Sequence, residues 1–259
     1  MNQIQKFIAL HQSDEILFLG NAWDLLSAVA LEKAGFKAIG TTSWGIAQSL
    51  GYTDGEKVDF ADQLRIIKTI VKHVSIPVSA DIESGYGIDA RTIIENVLRT
   101  AELGVAGINI EDSLKTQTGL REIGEHGKLL AAIRTALDNH GFEHFYINAR
   151  IDTYLQKEDP LQETIDRAKA YVESGASGVF VPGLKEEKEI AVVVSQVSAP
   201  LNVMSLPGLT DVKKMQELGV KRFSFGNAFS DKVAAALTET AAKLFAGKDT
   251  SLLYEADRG

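Results

Sequence analysis

One junction recurs four times in the chain and restricts its fold more than any other feature. The segments EKAGFKAIG, AELGVAGIN, VESGASGVF and QELGVKRFS each carry a helix-like stretch into a glycine (Gly35, Gly104, Gly175 and Gly219) and then into a short β-branched or aromatic stretch. Glycine directly after a helix supplies the left-handed backbone conformation without a Cβ penalty, so each junction reads as a helix-to-strand turn. Successive glycines lie about 70, about 70 and about 45 residues apart, close to two, two and one units of about 35 residues, the size of one strand-plus-helix repeat.

The apolar pattern supplies the remaining units. Short strands are predicted at 16–19, 38–42, 77–80, 107–110, 145–149, 178–181, 201–204 and 222–225. Phe60, Leu64, Ile67 and Val71 share one side of a helix over 60–74, and Ile93, Val97 and Ala101 one side of the next. Strands alternating with helices imply a parallel sheet with right-handed crossovers. Eight such units in 259 residues fit a closed (β/α)8 TIM barrel, with an open doubly wound sheet as the alternative. No proline-, glycine- or serine-rich linker divides the chain, so residues 1–259 read as a single domain. The charge run KEEKE at 185–189 reads as a solvated helix start.

Composition then narrows the chemistry. With 45% hydrophobic residues the chain can build a sizeable core, which excludes a disordered protein. A formal charge of −8 with scattered basic residues argues against nucleic-acid binding. No apolar run is long enough to span a bilayer and the opening residues do not resemble a secretory signal, so the expected location is the cytoplasm. Zero cysteines exclude thiolate metal ligation and any cysteine nucleophile or acid.

In a parallel barrel the reactive face lies at the carboxyl ends of the strands. The residues expected there are Asn21 and Asp24, then Thr42, Ser43, Trp44 and Gly45, then Asp81 and Glu83, then Glu111 and Asp112, then Asn148, Arg150 and Asp152, and finally Pro182, Gly183, Ser205, Gly226 and Asn227. Asp81, Glu83 and Glu111 form the sharpest group. Three carboxylates on neighbouring strand ends repel one another unless a positive charge sits between them. A magnesium ion, with one direct carboxylate and others acting through water, satisfies them economically. Helix capping, pairing with Arg150 or a glycosidase-type carboxylate pair are the alternatives. Arg150 ends an otherwise apolar strand, where its fork matches a carboxylate or phosphonate, or else pairs with Asp152 or Glu111. The Thr42 to Gly45 stretch offers a hydroxyl and successive N–H groups to an anion, and Trp44 reads most simply as packing. The five histidines fall away from predicted strand ends, so histidine catalysis is not expected.

Taken together, NAWD at 21–24, TTSWGIAQSLGYTDGE at 41–56, SADIESGYG at 79–87, GINIEDS at 107–113, INARIDTY at 147–154, FVPGL at 180–184 and LNVMSLPG at 201–208 resemble the phosphoenolpyruvate mutase/isocitrate lyase superfamily over nearly the whole chain. The resemblance implies a (β/α)8 barrel, often oligomeric with the last helix exchanged between subunits, and a magnesium site that binds a small 2-oxo acid. By motif, Asp81 resembles the direct metal ligand, with Glu83 and Glu111 holding metal-bound waters. Ser43, Trp44 and Gly45 resemble the segment that binds the substrate carboxylate and enolate oxygen. Asp54 resembles an acid packed near the same site, and Arg150 the substrate-binding arginine.

The chain also departs from that pattern. Isocitrate and methylisocitrate lyases carry a cysteine in the loop after strand four, where this chain reads EDSLKTQTGLREIGEHG. The lyase assignment in the strict sense therefore falls. Phosphoenolpyruvate mutases place a Lys-Thr-Asn stretch in that loop, similar to Lys115-Thr116-Gln117 here. Lys115 and Gln117 are thus candidate catalytic residues beside Arg150 and Ser43, on a lid spanning 113–124. The expected activity is magnesium-dependent making or breaking of a carbon–carbon or carbon–phosphorus bond beside the carbonyl of a small 2-oxo acid, through an enolpyruvate-like intermediate. This covers lyase, decarboxylase and phosphonomutase (isomerase) types. The alternative is a non-catalytic 2-oxo acid binding protein that keeps the metal site. An alanine-rich face on a helix over 227–246 suits an intersubunit contact in a homo-oligomer, a dimer or tetramer.

Overall fold

A computed structural model of the protein describes residues 1–115 and 117–254. The elements run α1 (Gln3–Gln12), β1 (Leu17–Ala22), α2 (Leu25–Lys33), β2 (Ile39–Thr41), α3 (Ser43–Ser49), α4 (Phe60–His73), β3 (Val78–Asp81) and α5 (Ala90–Ala101). They continue with β4 (Gly107–Glu111), α6 (Ile123–Asn139), β5 (Tyr146–Arg150), α7 (Thr153–Gln156), α8 (Leu161–Glu173) and β6 (Gly178–Phe180). The last are α9 (Glu187–Gln196), β7 (Leu201–Met204), α10 (Val212–Glu217), β8 (Arg222–Ser224) and α11 (Ala228–Gly247), followed by a short 3-10 turn at Ser251–Leu253.

The eight strands pair in parallel, each with its sequence neighbour, and β8 closes onto β1. This is the closed TIM barrel, not the open sheet. Gly35, Gly104, Gly175 and Gly219 all adopt positive φ, between 84° and 99°. The residue after Gly35, Gly175 or Gly219 donates its N–H back into the preceding helix, as Val220 does to Met215 at 3.0 Å, so the recurring junction is a helix C-cap.

The outward side chains of the strands, among them Ile108, Ile110, Ile147, Val179 and Val203, pack against the helices in the main core. A smaller cluster of Phe7, Leu17, Leu19, Ala38, Ala106 and Tyr146 lets α1 plug the amino end of the barrel. With that end closed by apolar packing, a ligand has the carboxyl end to enter. No helix among the described residues is long and apolar enough to cross a membrane.

Two boundaries matter for the site. β1 runs on to Ala22, beyond the predicted 16–19, because its ladder with β2 continues through Asn21 and Ala22. Asn21 therefore lies inside the strand, where its Oδ1 accepts from Phe225 and Gly226 N–H and its Nδ2 donates to Thr41 O. At the other end of the chain, Ser230 is the one described residue of α11 that is buried, while Leu237 and Phe245 are 68% and 75% exposed. The helix leaves the barrel, and Phe18 on the outer face of β1 stays 37% exposed.

Candidate active site

The carboxyl ends of the strands enclose a cavity of about 240 Å3. Ser43, Asp54, Asp81, Asn109 and Arg150 form much of its polar lining, and Trp44, Leu155, Phe180, Pro182 and Met204 its apolar lining. Ser43 opens α3, whose N-cap is Thr42. The expected cradle of free amides is corrected here. The Ser43 N–H donates to Asp81 Oδ2 at 3.2 Å and its hydroxyl to the same oxygen at 2.9 Å, while the Gly45 N–H turns back to Thr42 Oγ1 at 3.4 Å. The helix end thus holds the Asp81 carboxylate, as the partial positive charge at a helix N-terminus favours.

Gly45 is buried because a side chain there would press into Trp23, Thr42 and Ser230. Trp44 is not packing: it is 42% exposed, and its Nε1 donates to Asp231 of α11 at 2.9 Å. Asp54 faces the cavity, where burial and the nearby Asp81 charge push its carboxyl up from the usual carboxylate range.

Glu83, two residues beyond β3, and Glu111, the last residue of β4, are almost wholly buried. Lys115 lies between them, its Nζ 2.6 Å from Glu111 Oε1 and 3.0 Å from Glu83 Oε2. Burial works against the ammonium, yet Glu111 and Glu83 together hold its pKa above the ordinary lysine value. Burial raises the Glu111 carboxyl, and Arg150 and Lys115 pull it back. Arg150 grips Asp152 with Nε at 2.6 Å and Nη2 at 3.2 Å, and brings Nη1 to 2.9 Å from Glu111 Oε2. That last contact is a charge pairing without hydrogen-bond alignment, since Glu111 Oε2 has no directed donor among the described residues. The ion pair that competed with ligand binding as an account of Arg150 therefore exists, and the guanidinium still lines the cavity, one-fifth exposed.

Among the described residues no three acidic or histidine side chains gather closely enough to ligate one ion directly. The donor set is nonetheless all hard oxygen, with Asp81 on the cavity wall and Glu83 and Glu111 behind it. It fits a divalent cation bound by one carboxylate with water between it and the others. The ammonium between Glu83 and Glu111 marks where the acids call for positive charge.

Gln117, expected beside the substrate, is exposed and lines no described cavity. Ser113 and Leu120 bridge at the base of the loop and Leu114 N–H donates to Gly119 O at 3.0 Å, and Lys115 is the residue that reaches Glu83 and Glu111. Thr116 lies outside the described residues. Asp24, in the register of strand-end acids, is instead the N-cap of α2 in a reciprocal box with Ser27.

Sequence reasoning missed the group that locks the acids in place. Glu56 accepts from Ser84 N–H, Ser84 Oγ and Tyr86 N–H, while its own N–H donates to Glu83 Oε2 at 2.8 Å. The Tyr86 hydroxyl contacts Glu83 Oε1 at 2.6 Å and Gln63 Oε1, and Gln63 Nε2 donates to Asp81 O at 2.6 Å. Glu56, Glu83 and Tyr86 all carry positive φ, between 49° and 58°, so backbone strain concentrates here. The signal available was the TDGE run before Glu56, a turn-forming sequence that ends in an acid.

The family model described as phosphoenolpyruvate phosphomutase matches residues 7–245. An uncharacterized protein of Mycobacterium tuberculosis is 36% identical over 222 residues, spanning 85% of this chain and 81% of its own length. Oxaloacetate decarboxylase 1 of Pseudomonas fluorescens is 28% identical over 228 residues, spanning 84% of this chain and 76% of its own. Among solved structures, a phosphonopyruvate hydrolase in complex with oxalate and Mg2+ superposes with a TM-score of 0.87 at 25% identity, covering 96% of this chain and 88% of that one.

Proposed function

The chain belongs to the phosphoenolpyruvate phosphomutase family, enzymes of small 2-oxo acids, and from that premise we propose a magnesium-dependent enzyme that makes or breaks a carbon–carbon or carbon–phosphorus bond beside a 2-oxo acid carbonyl. The observation that carries this reading is the meeting of Arg150, Ser43 and Asp81 in one strand-end cavity with Glu83 and Glu111 behind it. Oxalate and Mg2+ in the similar phosphonopyruvate hydrolase support the choice of metal.

In this reading Asp81 would hold the cation directly, and Glu83 and Glu111 would hold it through water. The cation supplies Lewis acidity toward the carboxylate and 2-oxo oxygens. Arg150 would bind the substrate carboxylate through the Nη1 and Nη2 hydrogens not taken by Asp152, while Asp152 and Glu111 keep the fork from rotating. Ser43 fixes Asp81 and, with Trp44, Gly45 and Asp54, bounds the space in which the enolate oxygen develops. Bond cleavage would leave its electron pair in the enolate while the other fragment departs as carbon dioxide, a carbonyl compound or a phosphoryl group. Carbon 3 would then take a proton from solvent or, in the phosphonomutase type, the enolate oxygen would take the phosphoryl group. Loop 113–124, carrying Lys115, would close over the cavity until cleavage is complete.

We place the enzyme in the cytoplasm as a homo-oligomer. In a barrel of this kind the helix after the eighth strand ordinarily covers the last and first strands. Here α11 projects away and leaves a groove beside Phe18 and Phe36, which α11 of a second copy would cover.

Titration calorimetry of magnesium and oxalate into the protein and its Asp81→Asn and Asp81→Ala variants tests the site, with circular dichroism to confirm that each variant is folded. Heat in the parent and a loss of at least tenfold in oxalate affinity in folded variants is the expected result. Equal heats would remove the metal assignment. Turnover of oxaloacetate and phosphonopyruvate with magnesium separates an enzyme from a protein that only binds.

A further inference from the structure

The cavity lining is mixed in chemistry. Its charged groups, Asp54, Asp81 and Arg150, come with Ser43 and Asn109, and Ser224 and Asn227 add neutral polar groups at the end of β8; the carbon surface comes from Trp44, Leu155 on α7, Phe180 at the end of β6, Pro182, and Met204 at the end of β7. Among the described residues Arg150 is the one cationic side chain on the lining. Lys115 is committed to Glu83 and Glu111, and with Arg121 it lines a separate cavity beside Glu56 and Tyr86. Trp44 turns its polar edge to Asp231 and so leaves ring carbon toward the cavity. Phe180 has the Arg150 guanidinium 5.9 Å from its ring centre, which places carbon surface beside the carboxylate-binding fork.

We infer that the 2-oxo acid seated here carries one carboxylate and an aliphatic tail, the tail lying against Trp44, Leu155, Phe180 and Met204. This rests on the reading of Arg150 and Asp81 as the head-group site. A second carboxylate or a phosphonate at the tail end meets no cation, and an anion desolvated against carbon without a partner binds poorly. An alkyl group gains about fourfold in affinity per methylene taken out of water. Of the reactions proposed above, the cavity therefore favours carbon–carbon chemistry with a neutral aliphatic fragment over carbon–phosphorus chemistry.

The test is calorimetric titration in magnesium with oxalate, 2-oxopentanoate and 2-oxoglutarate, the last two differing in a terminal methyl against a terminal carboxylate. Oxalate should bind, and 2-oxopentanoate should bind at least tenfold more tightly than 2-oxoglutarate. Leu155→Arg, at a half-exposed position, should narrow or reverse that ratio. Oxalate binding together with equal or tighter binding of 2-oxoglutarate to the parent would overturn the inference and leave the head-group reading standing. Failure of oxalate to bind would overturn both.

Discussion

Two arginines on the barrel strands, Arg150 and Arg222, are treated in opposite ways. Arg150, at the carboxyl end of β5, has Asp152 and Glu111 around its guanidinium. Arg222, at the start of β8, is 1% exposed and has no carboxylate within ion-pair distance among the described residues. Its Nη2 donates to Asn109 Oδ1 at 3.3 Å, its Nε and Nη1 have no described partner, and the Phe7 ring lies 5.8 Å away. Burial opposes the charge on both. Glu111 and Asp152 outweigh it for Arg150, whose pKa stays above the ordinary arginine value, whereas Arg222 is pulled down to about 10. Where barrel interiors usually stack branched aliphatic chains, this one surrounds Arg222 with Asn109, Asn148 and Asn202. Arg150 is thus neutralised before a ligand arrives and supplies directed donors. Arg222 supplies unneutralised charge from below, and Asp81 is one of the groups that feels it.

Removing each arginine gives the largest contrast. Arg150→Met leaves Glu111 and Asp152 with too little positive charge, and the expected loss is about 3–5 kcal/mol in urea unfolding together with loss of oxalate binding. Arg222→Met removes a charge that no acid pairs with directly, and the expected change is about 1 kcal/mol in either direction. Equal losses in the two variants would break the comparison.

Acid should separate the two regions next. His11 stacks on Tyr146 beneath the barrel, and burial together with Arg222 pulls its pKa down to about 3. His126, buried against Tyr171, is also lowered to about 3, by burial and then by Arg121 and Arg167. The unfolded chain takes up these protons near pH 6.5 and the folded protein only near pH 3. Their contribution to stability is whole above pH 6.5 and falls as the pH drops through that window, by about 1 kcal/mol per pH unit for each histidine. His11→Phe keeps the ring packing and should remove one histidine's share of the slope in urea midpoints measured from pH 6.5 to 4. An unchanged slope would mean that His11 is protonated in the folded state beside Arg222.

The contrast between the arginines also marks how far the sequence could be read. The four cap glycines, the eight strands and the acids at the strand ends follow from local rules: a backbone conformation, a periodicity, a position in a repeat. Arg150 belongs with them, because a charge at the end of INARID stands out against its apolar neighbours. Arg222 begins a three-residue strand next to Lys221, and nothing local tells the two basic residues apart. Its burial depends on β1 and β7 flanking it and α1 closing the barrel below, none of which lies near it in sequence. The Glu56, Tyr86 and Gln63 lock was hidden for the same reason, since its members come from the loop after α3, the loop after β3 and the body of α4. Asp24 misled in the opposite direction, because a helix cap and a strand-end acid occupy the same register after β1.

The smallest expected effect is also the most selective. Asn109 Oδ1 accepts from both Arg222 and Asn148, so Asn109→Asp gives Arg222 a carboxylate with almost no change in shape. Asp81 is its register neighbour on β3, and repulsion between the two acids offsets much of the new attraction. The expected change at pH 7 is therefore within about 1 kcal/mol of the parent. If Arg222 is charged, the new acid should cost more in the Arg222→Met background than in the parent, with a coupling of about 1–3 kcal/mol in a double-mutant cycle followed by urea unfolding. A coupling near zero would mean that the guanidinium and the new carboxylate do not share the barrel interior, and Arg222 could then no longer be treated as the unneutralised counterpart of Arg150.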